Sequence, residues 1–334
     1  MNPTLRVELG STAVRPTQLG LGTAPLAGLF EPVDEHDAEE VIERAWELGI
    51  RFFDTAPLYG YGLAEQRLGR VLSQKPRSEY VVATKVGRLL RPRAGPDLTN
   101  HDLGQPLFKG TPPVQPIFDF SSAGVVRSHE ESLQRLGLDR VDILHIHDPD
   151  DYETQAVGES LPALEALKRR GVVNAVGAGM NQWEMLSRFA STEAFDCFLL
   201  AGRYTLLDQS GEPLLNQCRA LDIGIIAAGV YNSGVLADPR PGTHYNYQPA
   251  APAVVSRAQQ IARVCANHDV PLKAAAIQFP ACHPSVTCVL TGARSVDELD
   301  ENVALFRLEL PDQLWSELRH EGLLEASSSG ELGR

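Results

Sequence analysis

The sequence has 334 residues, of which 43% are hydrophobic and 22% are charged, a composition typical of a globular protein. Its formal net charge of −13 and its pI of about 5.2 argue against a surface that binds nucleic acid or anionic membranes without specificity, because phosphates repel such a charge. No apolar run approaches the roughly 20 residues of a membrane span, and the N-terminus has no hydrophobic signal segment, so neither membrane insertion nor secretion is expected.

Short apolar runs alternate with amphipathic helical segments along the chain. The runs that predict strands are 17–24, 50–56, 80–87, 141–149, 172–179, 195–202, 223–230 and 286–293. Most are continuously apolar rather than alternating, which suits parallel strands covered on both faces. Eight such strands alternating with helices predict an α/β fold, a (β/α)8 TIM barrel that forms a single domain over residues 1–334. A doubly wound open sheet is the alternative, but no G-x-G-x-x-G motif follows the first strand.

Two segments interrupt the alternation. Residues 88–121 and 232–252 are long and rich in proline or glycine. Long loops inside a compact barrel are usually lids or binding loops. We therefore expect both to lie over the carboxyl-terminal face of the barrel, where the active sites of this fold are found.

Polar side chains at the predicted strand ends point to proton transfer. Asp54 and Tyr59 follow the second strand, Lys85 lies on the third, and His147 ends the fourth. A lysine within an apolar run needs a partner, and Asp54 is the natural one. A nearby lysine lowers the pKa of a tyrosine, and a neutral histidine orients a carbonyl or carbinol oxygen. This set suits hydride transfer at a carbon bearing oxygen.

The motifs GIRFFDTAPLYG, VVATKVG, VDILHIHDP and VLTGARSVDELDENV, taken in this order, resemble those of the aldo-keto reductase family over nearly the whole chain. The resemblance implies a catalytic tetrad of Asp54, Tyr59, Lys85 and His147, with His145 pointing away from the pocket into the core or toward the helices. The stretches KVGRLLRP, GAGMNQWE, AGRYTLLDQ and YNSGVLA are most similar to aldose 1-dehydrogenases of the L-fucose (D-threo-aldose) type and to L-galactose dehydrogenases. Such enzymes oxidise a cyclic hemiacetal at C1 to a lactone.

The resemblance also implies a nicotinamide dinucleotide, with its pyrophosphate at residues 229–234 and its adenosine at 291–302. Asn181 stands one position from the usual amide-binding residue. The residues assigned to the cofactor are Gly22, Thr23, Ala24, Asp54, Asn181, Gly229, Val230, Tyr231, Asn232, Ser233, Gly234, Gly292, Ala293, Arg294, Glu298 and Asn302. NAD is favoured over NADP, because Gly292 and Glu298 stand where NADP-dependent members carry basic residues. Arg294, a basic residue that lies between these two positions, favours NADP instead.

Other functions stay open at this level. They are a pyridoxal 4-dehydrogenase, a general aldehyde or ketone reductase, an aldolase or isomerase with Lys85 as a Schiff base, and a non-catalytic regulatory subunit that binds the cofactor. The five cysteines lack metal-ligand spacing, so no metal site is predicted, and they are interpreted as buried thiols in the cytoplasm. The polar loop at 242–249 favours a polyhydroxylated small-molecule substrate. The sequence indicates neither which sugar it is nor the oligomeric state.

Overall fold

The computed structural model describes residues 1–96 and 106–325. Its strands are β1 (Leu19–Gly22), β2 (Phe52–Asp54), β3 (Val81–Val86), β4 (Arg88–Pro92), β5 (Val114–Phe118), β6 (Ile143–His147), β7 (Ala175–Met180), β8 (Cys197–Ala201), β9 (Gly224–Ala228), β10 (His244–Tyr245), β11 (Gln248–Pro249) and β12 (Val286–Thr291). Within these residues, eight parallel strands close into a barrel in the order β1-β12-β9-β8-β7-β6-β3-β2. The predicted (β/α)8 barrel is confirmed, and the open-sheet alternative is wrong.

Helices surround the barrel. They are α1 (Glu35–Glu47), α2 (Leu63–Leu72), α3 (Ser122–Leu136), α4 (Glu153–Gln155), α5 (Leu161–Arg169), α6 (Glu184–Ala190), α7 (Glu212–Ala220), α8 (Pro252–Asn267), α9 (Leu272–Gln278), α10 (Val296–Arg307) and α11 (Asp312–His320). The sequence caps several of them: Asp34 accepts a hydrogen bond from the His36 N–H at the start of α1, and Ser121 accepts one from Gly124 at the start of α3. Among the described residues, no helix is long and apolar enough to cross a membrane.

The hydrophobic core has two layers. An inner cluster fills the barrel and includes Phe52, Ile143 and Cys197, whereas a larger outer cluster packs the strands against the helices. Strand β6 shows the alternation, because Leu144 and Ile146 belong to the outer layer. Since side chains alternate along a strand, the two histidines of β6 share the inward face of Ile143.

Both long segments contain antiparallel hairpins. Strands β4 and β5 pair from Arg88↔Phe118 to Pro92↔Val114, and the two-residue strands β10 and β11 pair at His244↔Pro249. Each hairpin follows the carboxyl end of a barrel strand, β3 in the first case and β9 in the second. The segments therefore lie at the end of the barrel that the sequence predicted. Residues 97–105 of the first segment lie outside the described residues.

Candidate active site

A buried ion pair lies at the carboxyl ends of β2 and β3. The Lys85 Nζ donates hydrogen bonds to Oδ2 and Oδ1 of Asp54 at 2.7 and 2.9 Å, and to the carbonyl oxygen of Thr55 at 2.9 Å. Both side chains are almost fully buried, being 1% and 2% exposed. All three donors of the ammonium group are thus used within the protein, which is the condition for keeping a charged lysine in a core.

Tyr59 lies in a tight turn between β2 and α2. The three residues that follow it, Gly60, Tyr61 and Gly62, all have positive φ. A side chain at Gly60 is excluded because its Cβ would lie 2.6 Å from the carbonyl oxygen of Ala27. The turn places the phenol ring beneath the Lys85 Nζ, which lies 4.7 Å from the ring centroid.

His147 completes the predicted group. Its ring centroid lies 5.8 Å from that of Tyr59, with the two ring planes at 88°. Burial lowers the pKa of His147 well below its usual range, and the positive charges of Arg88 and Lys85 lower it further. The imidazole is therefore neutral at pH 7 and suited to orient an oxygen by hydrogen bonding rather than to titrate.

The pKa of Tyr59 differs from the sequence-based expectation. Burial raises it well above its usual range, the carboxylates of Asp54 and Asp148 raise it further, and Arg88 opposes them. The expectation that a nearby lysine would lower this pKa is wrong for this structure. The physical reason is that burial removes the hydration of the phenolate, and the nearby carboxylates add to this effect. The phenol is consequently protonated at neutral pH.

His145 lies inside the barrel, below the pocket wall. It is fully buried opposite Lys85 in the register of β3 and β6. A Cβ on Gly177 would lie 2.5 Å from its Nδ1, so the glycine makes room for the ring. Burial and the Lys85 charge lower the pKa of His145 to about 3. His145 is a core residue, as the sequence suggested, but it faces the barrel interior and not the helices.

Lys85, Asp54, Tyr59 and His147 all line one cavity of about 350 Å³. Sequence reasoning missed the charged and aromatic side chains of this wall outside the tetrad, namely Arg88, Phe108, Asp148 and Tyr247. Arg88 and Asp148 lie just beyond the ends of β3 and β6, so the rule that strand ends carry the site could have identified both. Phe108 and Tyr247 come from the two long segments, which were expected to be binding loops, but no motif distinguishes these two residues from their neighbours.

A second cavity of about 210 Å³ shares wall residues with the first, including Asn181, Gly229 and Gly292. Phe30 lies at its wall, where its ring stacks on His244 and tilts against Tyr247 at centroid distances of 5.5 and 6.3 Å. Loops that follow β1 and β9 thus meet beside this cavity.

The turn after β9 fits a dinucleotide at the second cavity. Asn232, Ser233 and Gly234 have successive positive φ values of 46°, 60° and 107°, and all three line the cavity. The Oδ1 of Asn232 is buried without a hydrogen-bond partner among the described residues. A Cβ on Gly229 would lie 3.0 Å from the backbone nitrogen of Gly202. The wall thus has little side-chain bulk, and its free acceptor suits a ribose hydroxyl group.

The structure places most of the residues predicted to bind cofactor in these walls. Those that line a cavity are Gly22, Ala24, Asp54, Asn181, Gly229, Val230, Tyr231, Asn232, Ser233, Gly234 and Gly292. Thr23 is buried and donates its hydroxyl hydrogen to the carbonyl oxygen of Asp54, and Ala293 is also buried. Asn302 lies behind the wall, where its Oδ1 accepts a hydrogen bond of 2.8 Å from the Tyr231 hydroxyl.

Arg294 and Glu298 lie on the surface next to Gly292. The Arg294 guanidinium is 2.9 Å from Glu31 and 3.4 Å from Glu298, and the Glu298 carboxylate also accepts a hydrogen bond of 2.8 Å from the Arg294 backbone N–H. Two carboxylates therefore compensate the single positive charge that the sequence placed near the adenosine.

Comparisons with known proteins identify the family of this chain. The model of the Aldo/keto reductase family matches residues 18–320. A pyridoxal 4-dehydrogenase from Microbacterium luteolum is 40% identical over 332 residues, covering 95% of this chain and 97% of its own. A D-threo-aldose 1-dehydrogenase from a Pseudomonas species is 41% identical over 315 residues, covering 92% and 94%. An L-galactose dehydrogenase from Arabidopsis thaliana is 33% identical over 302 residues, covering 89% and 86%.

The fold has a solved counterpart in the holo form of an aldo-keto reductase from Bacillus halodurans. The two share a TM-score of 0.75 at 23% identity, with 98% of this chain and 99% of the other covered. At this identity the likeness concerns the barrel architecture alone.

Proposed function

Since the chain belongs to the aldo/keto reductase family and is thus an oxidoreductase, we propose that it oxidises C1 of a cyclic sugar hemiacetal. The substrate is of the L-fucose (D-threo-aldose) or L-galactose type, and the product is the aldonolactone. The observation that carries the proposal is the meeting of the Lys85–Asp54 pair, Tyr59 and His147 in the wall of a single cavity.

The chemistry divides among these side chains. The neutral His147 donates a hydrogen bond to the substrate oxygen from Nε2, and the Asp148 carboxylate, 3.4 Å from Nε2, favours the tautomer with its proton there. The phenolate form of Tyr59 accepts the C1 hydroxyl proton at its Oη as the carbonyl forms, so the phenol first loses its own proton to solvent. Lys85 and Asp54 hold the phenol in place and set its electrostatic surroundings. When bound, the oxidised nicotinamide supplies the acceptor for the hydride that leaves C1.

The polarity of the wall supports a sugar over an apolar carbonyl compound. Arg88 and Asp148 bring a cation and an anion to the same cavity as the reacting groups, and Asn246 and Tyr247 of the predicted polar loop line the neighbouring space. Buried charges of this kind disfavour a ligand that offers no hydrogen bonds in return. A polyhydroxylated ring offers several.

Pyridoxal is the second candidate, because the relative from Microbacterium luteolum is 40% identical over nearly the whole chain. The rings of Tyr59 and Phe108, 6.3 Å apart, and that of Tyr247 give the cavity aromatic surfaces for a pyridine ring. The aldehyde of pyridoxal closes onto its neighbouring hydroxymethyl group to form a cyclic hemiacetal. Its oxidation to a lactone is therefore the same reaction.

The test is kcat/KM with NAD⁺ for L-fucose, L-galactose, D-arabinose, L-xylose and pyridoxal, together with the reduction of benzaldehyde by NADH. The sugar proposal expects the highest value for one of the sugars. A higher value for pyridoxal selects the second candidate, and a strong preference for benzaldehyde contradicts both. Cofactor binding without turnover of any of them would identify a non-catalytic subunit.

NAD is the proposed cofactor, with NADP the weaker alternative. A 2′-phosphate needs an uncompensated cation, whereas Arg294 is already paired with Glu31 and Glu298. Measured kcat/KM is expected to be higher with NAD⁺ than with NADP⁺. The variant Glu298→Gln is expected to reduce this preference for NAD⁺. The control Glu153→Gln, which alters an exposed arginine pair elsewhere, is expected to leave the preference unchanged. A tenfold preference for NADP⁺ in the unmodified enzyme would overturn the assignment.

The remaining assignments rest on the same proposal. The partner is a small-molecule sugar or aldehyde, and no nucleic acid or membrane is involved. A cytoplasmic location stays a prediction, supported by five cysteines that are all free thiols.

A further inference from the structure

Arg88 and Asp148 form a second ion pair in the cavity that holds the reacting groups. Arg88 begins β4 directly after the end of β3, and Asp148 directly follows β6. Their side chains are only 10% and 19% exposed, and the Nη2 of Arg88 lies 3.5 Å from Oδ2 of Asp148. The tetrad does not include this pair, so the charges need a reason of their own.

The hydrogen bonding of the pair is incomplete. A separation of 3.5 Å is well beyond the roughly 2.7–2.9 Å of a charge-assisted hydrogen bond, whereas Lys85 and Asp54 in the same cavity reach 2.7 Å. In addition, the Arg88 Nη1 is buried and has no hydrogen-bond partner in the described part of the chain. A buried donor without a partner is unfavourable, and a ligand that supplies an acceptor removes that cost.

The backbone holds Asp148 in a conformation that few residues adopt. Its φ is 40°, in the left-handed region, and its N–H donates a hydrogen bond of 3.0 Å to the carbonyl oxygen of Gly179 on β7. Among residues with a Cβ, Asp and Asn tolerate this region best. Backbone strain of this kind is often found where a side chain has to be positioned for a ligand.

The position of the pair relative to His147 indicates which part of a substrate it meets. The Asp148 Oδ2 lies 3.4 Å from the Nε2 of His147, the atom that holds the reacting oxygen in the proposed function. Two oxygens on neighbouring atoms of a ligand can therefore meet Nε2 and Oδ2 one each. In a sugar hemiacetal, the ring oxygen has no hydrogen to donate to the Asp148 carboxylate, so the nearest donor beside the C1 hydroxyl group is the hydroxyl group on C2.

We propose that Arg88 and Asp148 bind the C2 hydroxyl group of the sugar, an inference that rests on the proposed oxidation at C1. Asp148 accepts the hydroxyl hydrogen, and Arg88 donates to the hydroxyl oxygen. The pair therefore selects substrates that carry a hydroxyl group beside the reacting carbon. A 2-deoxy sugar leaves the buried cation and anion without that partner, which is the kind of mismatch that enzymes discriminate most strongly.

The rival interpretation is that the pair only anchors the β4–β5 hairpin to the end of β6. Arg88 also packs over the ring of Phe118 on β5, with its guanidinium carbon 5.1 Å from the ring centroid. An anchor affects every substrate alike, whereas a binding pair affects the substrates that carry the hydroxyl group. The ratio of two substrates therefore separates the interpretations.

The experiment measures kcat/KM with NAD⁺ for L-fucose and 2-deoxy-L-fucose in the unmodified enzyme, Asp148→Asn, Arg88→Met and Arg88→Lys. Asn suits the left-handed backbone, and Lys keeps the charge that pairs with Asp148, so at least these two variants are expected to fold. The matched control is Arg91→Met on the same strand, because Arg91 pairs with Glu131 and does not line the cavity.

In the unmodified enzyme, L-fucose is expected to exceed 2-deoxy-L-fucose by roughly 100-fold or more. Asp148→Asn and both Arg88 variants lower this ratio to about tenfold or less through the loss of kcat/KM for L-fucose, while Arg91→Met preserves it. The intrinsic reactivities of the two sugars cancel in the comparison between variants.

Two results overturn the inference alone: a ratio near one in the unmodified enzyme, or an unchanged ratio in variants that lose activity on both sugars. The second of these establishes the anchoring role. Absence of oxidation of both sugars by the unmodified enzyme is a different outcome, which removes the proposed function and the inference with it.

Discussion

The barrel carries a carboxylate–cation pair at each of its ends, and both pairs contact β3. At the amino end, Asp142 accepts hydrogen bonds from the backbone N–H of Val82 at 2.8 Å and from the guanidinium of Arg77 at 2.7 Å. At the carboxyl end, Asp54 accepts two from Lys85. Viewed as ion pairs alone, the two ends look alike.

The difference lies in the polar atoms around each pair. The Asp142 Oδ1 also accepts a hydrogen bond of 3.3 Å from the Asn174 side-chain amide, so both carboxylate oxygens have partners within the protein. Near Lys85, by contrast, Thr55 Oγ1, His147 Nδ1 and Arg88 Nη1 are buried without hydrogen-bond partners among the described residues. A buried ion pair whose neighbouring polar atoms are all hydrogen-bonded indicates a structural role, whereas an ion pair with unpartnered polar neighbours indicates a binding or catalytic site.

Two tyrosines give the largest test of this comparison. Tyr59→Phe at the carboxyl end keeps the ring and removes the proton, so turnover is expected to fall by roughly 10²–10⁴ while cofactor binding persists. Tyr80→Phe at the amino end removes the hydrogen bond of 2.9 Å to the Leu72 carbonyl oxygen. It is expected to cost about 1 kcal/mol in unfolding free energy and to preserve turnover. Near-normal turnover in Tyr59→Phe would refute the mechanism.

The two cations provide the next test. Lys85→Met leaves the buried Asp54 carboxylate unpaired and is expected to lose about 3–5 kcal/mol of unfolding free energy. Arg77→Met is expected to lose less, because Asp142 keeps its hydrogen bonds from Val82 and Asn174. Only Lys85→Met is expected to lower kcat of the folded enzyme, by roughly 10²-fold, because Arg77 lies at the opposite end of the barrel. Denaturant titration and kcat normalised to folded protein give the two values. Equal losses of kcat would show that the ends are not functionally distinct.

The dependence of the oxidation rate on pH is the smallest of the expected effects, and it develops gradually over the pH range. Burial and two carboxylates raise the pKa of Tyr59 above its usual value of about 10, so the phenolate that accepts the proton is scarce at pH 7 and increases as the pH rises. Oxidation is expected to accelerate by close to tenfold per unit between about pH 7 and 9, without a plateau. In the reverse direction, which uses the protonated phenol, the rate stays flat over that range. The Arg77→Met variant should show the same profile, and a plateau of the oxidation rate below pH 8 would contradict the assignment.

The sequence predicted the fold well because parallel barrel strands are covered on both faces and read as continuous apolar runs. It located Asp54, Tyr59, Lys85 and His147 in one place because carboxyl ends of parallel strands meet. The direction of the Tyr59 pKa shift was not accessible, since it depends on how completely the fold buries the phenol and on which carboxylates lie near it.

The sequence did not single out Arg88 and Asp148, although both are next to recognised motifs. Their pairing depends on the course of the chain beyond two strands, including the left-handed φ of Asp148. The contribution of Tyr247 likewise depends on the hairpin formed by β10 and β11, whose strands of two residues are too short to leave a periodic signal.

The reactivity of the five free cysteines can report the order in which parts of the protein unfold. Burial raises the pKa of Cys218, Cys265 and Cys282 to about 12, and it raises the pKa of Cys197 and Cys288 well above its usual range. Alkylating reagents attack the thiolate, so the native fold suppresses labelling at each of these sites. Cys197 and Cys288 lie inside the barrel, whereas Cys218 and Cys265 lie between strands and helices. The order in which iodoacetamide labels them in dilute denaturant therefore reports whether the helical layer detaches before the barrel itself comes apart.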